Sequence, residues 1–373
     1  MSLRLSDRLP REFPQLPASG TSGGEGWRSG VRTAVLAAVA EFVTARRAID
    51  LHGAGFEAAG EILAQFLSNG KCVRSTFMYL GWLCVALPSG AALSAAASLE
   101  LLHAFALLQD DVMDRSAERR GRPAAHVQLA QWHREHELPS GADRFGESAA
   151  VLLGDLCLIW AEQMLRESGV EAGRLQRVWP RYDAMRTELA VGQFADLVAD
   201  LRSLPPLETV LDVARRKSGN YTVRRPLEMG AAMAGCDDRT LAQLGRYGGA
   251  SGEAFQLRDD VLGVFGSPAT TGKPDGGDLR DRKATSVLVT AYQLADARTR
   301  RALVGLVNLD DVDDAALQRW KGLIAATGAV DTIEEMIGHR LASALNDLDG
   351  MEIGEPVRTA LANMAIACVE RRE

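Results

Sequence analysis

The sequence lacks the features that mark several classes of protein. Its five cysteines are scattered over 373 residues, with no CxxC pair and no spacing typical of metal ligands, which indicates buried thiols in a reducing compartment. Basic residues are not in excess, and the net charge of -7 argues against a general nucleic-acid partner. A site for a polyanion must therefore be a local cluster of Lys and Arg.

The sequence also has no uninterrupted apolar run long enough to cross a membrane. The most apolar stretch, residues 91–108, is interrupted by Glu100 and His103 and continues into Asp110 and Asp111, so we predict no membrane span. The N-terminus lacks the charged start and continuous apolar core of a signal peptide. We therefore expect a cytoplasmic protein.

The chain has no internal Pro/Ser-rich linker and no repeat of fixed period. Residues 1–30 are rich in Pro, Gly and Ser, which predicts a disordered tail. From Val31 onward, long Ala- and Leu-rich stretches have helical spacing, and the alternation typical of strands is rare. We predict one all-α domain over residues 31–373, with ten or more helices, several of them central because they lack a polar face.

A first cluster of carboxylates ends an almost wholly apolar helical stretch. Asp110 and Asp114 are spaced i, i+4 and lie on one helical face, with Asp111 beside them. Like charges at this spacing destabilise a helix unless a cation lies between them. Carboxylate oxygens grouped in this way suit Mg²⁺, which completes its shell with substrate phosphates. The alternative for an isolated DDxxD is a solvated acidic helix end.

A second cluster argues against that alternative. Gln256, Asp259 and Asp260 are spaced i, i+3, i+4 on another apolar helix. Two such helices suggest a metal cluster between them, whose ligand would be a polyanion able to bridge metal ions. A diphosphate fits this description.

Basic residues occur at loop positions around both clusters. Arg can form bidentate phosphate contacts, and Lys supplies a mobile point charge, so together they suit two diphosphates. One such pair alone is usually a solvated surface feature. The sets are Lys71 with Arg74, Arg119 with Arg120, Lys217, and Lys273 with Lys283.

The order of these motifs resembles the trans-type prenyl diphosphate synthases, the family of farnesyl and geranylgeranyl diphosphate synthases. The resemblance covers residues from about 30 to 290, and the order and spacing are highly specific although each motif is weak alone. The motifs are GKxxR from Gly70, DDxxD followed by RRG from Asp110, GDxxL at Asp155, GQxxDL at Gln193 and Asp196, KSG from Lys217, FQxxDD from Phe255, and the GK…LRxxK stretch that ends at Lys283.

This resemblance implies an isoprenoid synthase fold around a central diphosphate and metal cavity, three Mg²⁺ ions and a homodimer. The implied metal ligands are Asp110, Asp114 and Asp259, with Asp111 and Asp260 supporting them. Arg119, Lys217, Lys273 and Lys283 would bind the allylic diphosphate (dimethylallyl, geranyl or farnesyl). Lys71, Arg74, His103 and Arg120 would bind isopentenyl diphosphate, and without the resemblance His103 would be taken for a core histidine. Gln256, Ser218 and the backbone carbonyl near Lys217 would stabilise a carbocation.

The sequence departs from the family pattern at three places. Gly263 stands where the second cluster often has its last Asp, and Gln109 replaces a common His. Cys72, Val73 and Ser75 replace more usual basic and proline residues around Arg74. These changes affect the expected affinity for isopentenyl diphosphate more than the chemistry.

The most detailed prediction concerns the chain length of the prenyl diphosphate product. Phe105 lies five residues before Asp110, about 7.5 Å along the helix axis. In similar enzymes an aromatic here, with a small neighbour such as Ala106, accompanies a C20 product, geranylgeranyl diphosphate. Phe105 could equally be an ordinary core aromatic, and C15 farnesyl diphosphate is the alternative product.

Two other classes share part of this pattern. A class I terpene synthase has DDxxD, but it would lack the GKxxR loop and would carry an Asn/Ser/Glu metal motif in place of FQxxDD. A non-catalytic partner subunit of a heteromeric synthase would lose Asp residues from the first cluster. This chain keeps GKxxR, FQxxDD and all three of those Asp residues, so neither class is favoured.

Overall fold

The described residues of the computed structural model are 16, 23–53, 56–139, 141–199, 201, 204–267, 275–309 and 311–370. They contain more than ten α-helices, as the sequence predicts. They group into two compact units, whereas the sequence suggests one domain from residue 31.

The first unit contains the described residues up to 179, together with 229–236 and 353–360. Its elements are α1 (Gly23–Asp50), α2 (Phe56–Leu67), α3 (Val73–Leu83), α4 (Gly90–Met113), β1 (Glu118–Arg119), β2 (Arg122–Pro123), α5 (Ala125–Glu135), α6 (Ala142–Arg166) and α7 (Ala172–Gln176).

The second unit contains residues 180–228, 237–352 and those from 361 onward. Its elements are α9 (Leu207–Ala214), a π-helix (Arg215–Arg224), α11 (Asp238–Phe265), α12 (Gly277–Arg280), α13 (Ser286–Leu294), α14 (Ala297–Val307), α15 (Asp314–Ala326) and α16 (Ala329–Asp349). Three helices have residues in both units, namely α8 (Trp179–Val198), α10 (Arg225–Ala234) and α17 (Glu355–Val369).

Helix α1 begins eight residues before the end of the predicted tail. Residues 23–30 are helical, and the rest of that tail, apart from residue 16, lies outside the described part of the chain. Trp27 is buried in the first unit, and Glu25 complements the positive end of the helix dipole in the first turn. Burial of an aromatic side chain therefore outweighs the weak helix propensity of the Gly/Ser-rich sequence.

Helix α4 is the central helix of the first unit and carries the first Asp cluster. Ser89 is its N-cap and accepts a hydrogen bond from the Ala92 backbone. Its apolar residues pack against α1, α3 and α6. By length and composition α4 and α6 could each cross a membrane, but 72% of the apolar window of α4 is buried inside the protein. This is the burial expected of a core helix.

A hairpin of two-residue strands follows α4 and is the one sheet among the described residues. Arg119 pairs with Arg122, and the turn residues Arg120 and Gly121 both have positive φ, of 54° and 71°. Such a turn matches the twist of a hairpin and favours glycine at its second position. The all-α prediction missed this hairpin, although the Arg-Gly pair is a signal for it.

Helix α11 is central in the second unit and packs against α16 and the π-helix. Three glycines let the π-helix approach its neighbours at backbone distance. A Cβ on Gly192 would lie 2.7 Å from the Lys217 backbone nitrogen, and a Cβ on Gly219 would lie 3.0 Å from the Gly252 backbone. A π-helical turn frequently marks a functional segment, and this one contains Lys217 and Ser218.

Candidate active site

The first set of site residues lies at the C-terminal end of α4. Asp111 is 1% exposed and accepts a hydrogen bond of 2.8 Å from Arg119 Nε, while Arg119 Nη2 lies 3.4 Å from Asp110 Oδ2. Burial opposes the charge on Arg119, but Asp111, with Asp110 and Asp114, raises its pKa above the ordinary value. The arginine thus supplies the cation that this acidic helix end requires.

His103 lies two turns before these aspartates on α4. Burial, together with the positive charges of Arg74, Arg120 and Arg119, holds the pKa of His103 well below its ordinary value. The imidazole is therefore neutral at neutral pH and can donate one hydrogen bond without adding charge.

The loop before α3 carries Lys71, and Arg74 is the second residue of α3. Cys72 is the N-cap of α3 and has a left-handed backbone, with φ of 49°. Arg32 of α1 holds the preceding turn through hydrogen bonds of 2.6 Å to the Gly70 carbonyl oxygen and 2.9 Å to Asn69 Oδ1.

Arg120 links the hairpin to the same loop. Its Nη1 atom donates to the carbonyl oxygens of Phe66 and Asn69 at the C-terminal end of α2, where a cation satisfies otherwise orphaned acceptors. Its guanidinium carbon also lies 5.8 Å from the centre of the Phe66 ring. The two consecutive arginines of the hairpin therefore have different partners: Arg119 binds the aspartates, and Arg120 binds the loop.

The second set lies in the second unit, on α11. Asp260 is buried, and its Oδ2 accepts bonds from Ser286 N at 2.9 Å and Ser286 Oγ at 2.6 Å. Its Oδ1 accepts a bond of 2.8 Å from Gln256 Nε2. Burial raises the pKa of Asp260 to about 6, with Asp278 adding to the effect and these hydrogen bonds opposing it. Asp260 thus joins α11 to α13, which does not favour its predicted role as a metal ligand.

Gln256 is oriented by this contact. Because its amide nitrogen faces Asp260, its carbonyl oxygen is the atom left to stabilise a cation. Asp259, the neighbouring carboxylate, stays the predicted metal ligand of the second set.

Lys217 is held within the π-helix. Its Nζ lies 2.6 Å from Asp196 Oδ2 of α8, which ties the KSG motif to the GQxxDL motif. Lys283 follows α12, and its backbone nitrogen donates a bond of 2.9 Å to the Asp278 carbonyl oxygen. Lys273 lies outside the described residues.

The donor sets fit Mg²⁺ in a particular way. Among the described residues, no group of three or more His, Cys, Asp or Glu side chains is arranged to hold a metal ion by itself. Mg²⁺ is typically bound by one or two carboxylates and by substrate phosphates. Asp110 and Asp114, both half-buried, offer such a pair, while the buried Asp111 holds Arg119 beside them. These residues fit a metal ion that binds together with a diphosphate.

Comparisons with known proteins show the family of this chain. A family model described as polyprenyl synthetase matches residues 57–321. The chain belongs to the polyprenyl synthetase family. The geranylgeranyl diphosphate synthase of Mycobacterium tuberculosis is 35% identical over 281 residues, which are 74% of each chain. The geranylfarnesyl diphosphate synthase of Aeropyrum pernix is 32% identical over 246 residues, 65% of this chain and 71% of that one.

A solved structure extends the likeness to nearly the whole chain. The geranylgeranyl pyrophosphate synthase of Corynebacterium glutamicum, complexed with isoprenyl diphosphate and magnesium, has a TM-score of 0.87 at 35% identity, covering 92% of this chain and 99% of that chain. This polyprenyl synthetase therefore has the all-α isoprenoid synthase fold and is a prenyltransferase that makes short-chain prenyl diphosphates. Its family uses isopentenyl and allylic diphosphates with a divalent metal.

Sequence reasoning missed three residues of this synthetase that support the site. They are Arg32, which holds the turn before Lys71, Glu100, which lies beneath that loop, and Asp278, which lies over Gly263. The sequence did contain a signal for Glu100, because a lone carboxylate in the most apolar run of a sequence requires a buried partner. It contained no signal for Arg32 or Asp278, since their partners lie at least 15 residues away in the sequence.

Proposed function

We propose that this enzyme condenses isopentenyl diphosphate with an allylic diphosphate to make geranylgeranyl diphosphate, in a reaction that depends on Mg²⁺. One observation carries the proposal: Arg119 binds the carboxylates of Asp110 and Asp111, while its neighbour Arg120 binds the turn at Asn69 that leads to Lys71 and Arg74. One short hairpin thus joins a metal and allylic site to a separate diphosphate site. The likeness to the geranylgeranyl diphosphate synthases supports the C20 product.

The proposed binding roles follow from this arrangement. Asp110, Asp114 and Asp259, with Asp111 supporting, would hold three Mg²⁺ ions, which when bound supply charge to the leaving diphosphate. Arg119, Lys217, Lys273 and Lys283 would bind the allylic diphosphate. Lys71, Arg74, His103 and Arg120 would bind isopentenyl diphosphate, to which neutral His103 donates a hydrogen bond.

The chemistry requires no protein base. The allylic carbon–oxygen bond breaks and diphosphate leaves, the isopentenyl double bond attacks the allylic carbon, and the released diphosphate takes the proton. Gln256, Ser218 and the backbone carbonyl near Lys217 would turn oxygen dipoles toward the carbocation. Apolar walls would exclude water, which would quench the cation.

Burial supports Phe105 and Ala106 as the residues that set product length. Both are half-buried, whereas Leu101 and Leu102 earlier on α4 are fully buried. A side chain that limits a growing prenyl chain must border the space it enters, so Phe105 is the better candidate for the floor. Farnesyl diphosphate is the alternative product, and a farnesyl diphosphate synthase of M. tuberculosis is 31% identical over 239 residues.

We also propose a cytoplasmic homodimer. Exposed apolar side chains occupy one face of α6, at Val151, Leu152 and Ile159, and one face of α8, at Val191, Phe194, Leu197 and Val198. Monomeric proteins rarely expose contiguous apolar patches of this kind, so a second copy of the chain would cover them.

Product analysis tests the proposed reaction. Purified protein is incubated with Mg²⁺, labelled isopentenyl diphosphate and, in turn, dimethylallyl, geranyl or farnesyl diphosphate, and the dephosphorylated alcohols are separated by chromatography. A dominant C20 alcohol from each primer supports the proposal. A dominant C15 alcohol selects the farnesyl alternative, and cyclic products from an allylic diphosphate alone would indicate a terpene synthase.

A further inference from the structure

Glu100 is a carboxylate buried within the apolar helix α4, where its residue is 8% exposed. Its Oε1 accepts a hydrogen bond of 2.7 Å from Ser75 Oγ in the first turn of α3. A buried carboxylate is costly unless it is hydrogen-bonded and paired. A helix needed only for core packing would have an apolar side chain at this position in place of a carboxylate.

The second oxygen of Glu100 faces the loop before α3. A Cβ on Gly70 would lie 3.2 Å from Glu100 Oε2, so the loop backbone passes directly over the carboxylate. The Cys72 thiol donates to the Gly70 carbonyl oxygen at 3.7 Å, and the charge of Glu100 acts on it. Glu100 thus lies against the loop at Gly70 and binds the first turn of α3 at Ser75, one residue after Arg74.

The charges around Glu100 are those of the proposed isopentenyl diphosphate site. Burial raises its pKa, while the Ser75 hydrogen bond and the charges of Arg74 and Arg120 favour its ionised form. The charge of Glu100 therefore acts on two of the cations that would bind the diphosphate. Ser75, one of the residues that depart from the family pattern, hydrogen-bonds this side chain.

We propose that Glu100, together with Ser75, is a positioning residue that holds Lys71, in the loop before α3, and Arg74, in the first turn of α3, in the geometry that binds isopentenyl diphosphate. Ser75 anchors that turn to Glu100 by a hydrogen bond, where a proline would restrict the backbone directly. The carboxylate also keeps Arg74 and Arg120 directed to one place before the substrate arrives. This inference rests on the proposed function.

Glu100→Gln keeps the shape of the side chain and removes its charge. We expect the Kd for isopentenyl diphosphate, measured by calorimetry without an allylic primer so that no turnover occurs, to rise about 10-fold, as loss of one charge-assisted hydrogen bond predicts. The KM for isopentenyl diphosphate should rise similarly, and the KM for the allylic primer should stay within about twofold. Glu100→Asp, which keeps the charge on a shorter side chain, should recover part of the affinity.

Two serine variants decide the case if Glu100→Gln does not fold. Ser75→Ala removes the hydrogen bond to Glu100 and should raise the same Kd about threefold. Ser98→Ala is the matched control, since Ser98 is a buried serine of α4 that donates to the Ala95 carbonyl oxygen instead, and it should leave the Kd unchanged.

The results separate this proposal from the proposed function. Wild-type protein that neither binds isopentenyl diphosphate nor condenses it contradicts the function itself. Wild-type activity together with an unchanged Kd in Glu100→Gln and Ser75→Ala contradicts the positioning role. Equal increases in both substrates' KM values, with a lower melting temperature, would show a purely structural role and also overturn it.

Discussion

The carboxylate of Asp278 occupies the space that a side chain at Gly263 would enter. A Cβ added to Gly263 would overlap Asp278 Oδ2. The negative charge of Asp278 also raises the pKa of Asp260, which lies on α11 with Gly263. The missing last Asp of the second cluster is therefore matched by a carboxylate from 15 residues downstream.

This relationship predicts that restoring the usual family residue will harm the enzyme. Gly263→Asp would place two carboxylates in one space, so we expect a melting temperature several degrees lower. We also expect a smaller rise in that temperature when Mg²⁺ and diphosphate are added. The double variant Gly263→Asp/Asp278→Gly should recover most of the melting temperature and most of the rise, both measured by thermal unfolding. A stable and fully active Gly263→Asp single variant would contradict this.

Both Asp clusters should be required for turnover. Asp110→Asn and Asp259→Asn should each lower kcat by orders of magnitude because the leaving diphosphate loses metal-borne charge stabilisation. Circular dichroism should show an unchanged fold. Asp143→Asn is the control, since this aspartate is 89% exposed at the surface. Near-normal turnover in either cluster variant would refute the proposed metal ligands.

The adjacent arginines should differ in effect. Arg119→Ala should mainly raise the KM for the allylic primer, by at least 10-fold, because it truncates a charge pair with the buried Asp111. Arg120→Ala should mainly raise the KM for isopentenyl diphosphate, because the proposed site loses a cation and the carbonyl oxygens of Phe66 and Asn69 lose their donor. Arg122→Ala, at the exposed end of the same hairpin, should change neither. The assignment is wrong if both variants show the same modest loss for both substrates.

Product length should respond to Phe105. Phe105→Ala should lengthen the dominant product by at least one C5 unit with little change in the first condensation, because an isoprene unit spans roughly one helical turn, about 5 Å. Ala106→Phe should favour C15. Leu102→Ala is the matched variant in the packed core of α4 and should lower stability without changing products. An unchanged profile for Phe105→Ala, read from the chromatographed alcohols, would remove Phe105 from the mechanism.

Charge on the exposed apolar faces should prevent dimer formation. Leu152→Glu and Phe194→Glu should yield a monomer of about half the mass in light scattering, because a buried unpaired charge is costly. Leu87→Glu is the control, since Leu87 is 84% exposed and lies in the loop between α3 and α4. A wild-type monomer with full activity at micromolar concentration would contradict the homodimer.

The all-α fold class could be predicted from the sequence because apolar residues at helical spacing run through most of the chain. The i, i+4 spacing of Asp110 and Asp114 predicted that a cation lies near this helix end, but the sequence alone did not name Arg119 as that cation. It could not distinguish Asp259 from Asp260, because the bonds from Ser286 that occupy Asp260 come from a residue 26 positions away. The early start of α1 depends on the burial of Trp27, which composition alone does not show.

The turn at Arg120 and Gly121 has a consequence for how the substrates bind. Arg119 is the last residue of β1 and Arg120 is the first residue of the two-residue turn, so a shift of the backbone at one is passed directly to the other. If a diphosphate that draws Arg119 away from Asp111 also shifts Arg120 at the end of α2, occupancy of one site alters affinity at the other, by the same factor in both directions. Each substrate would then change the Kd of the other.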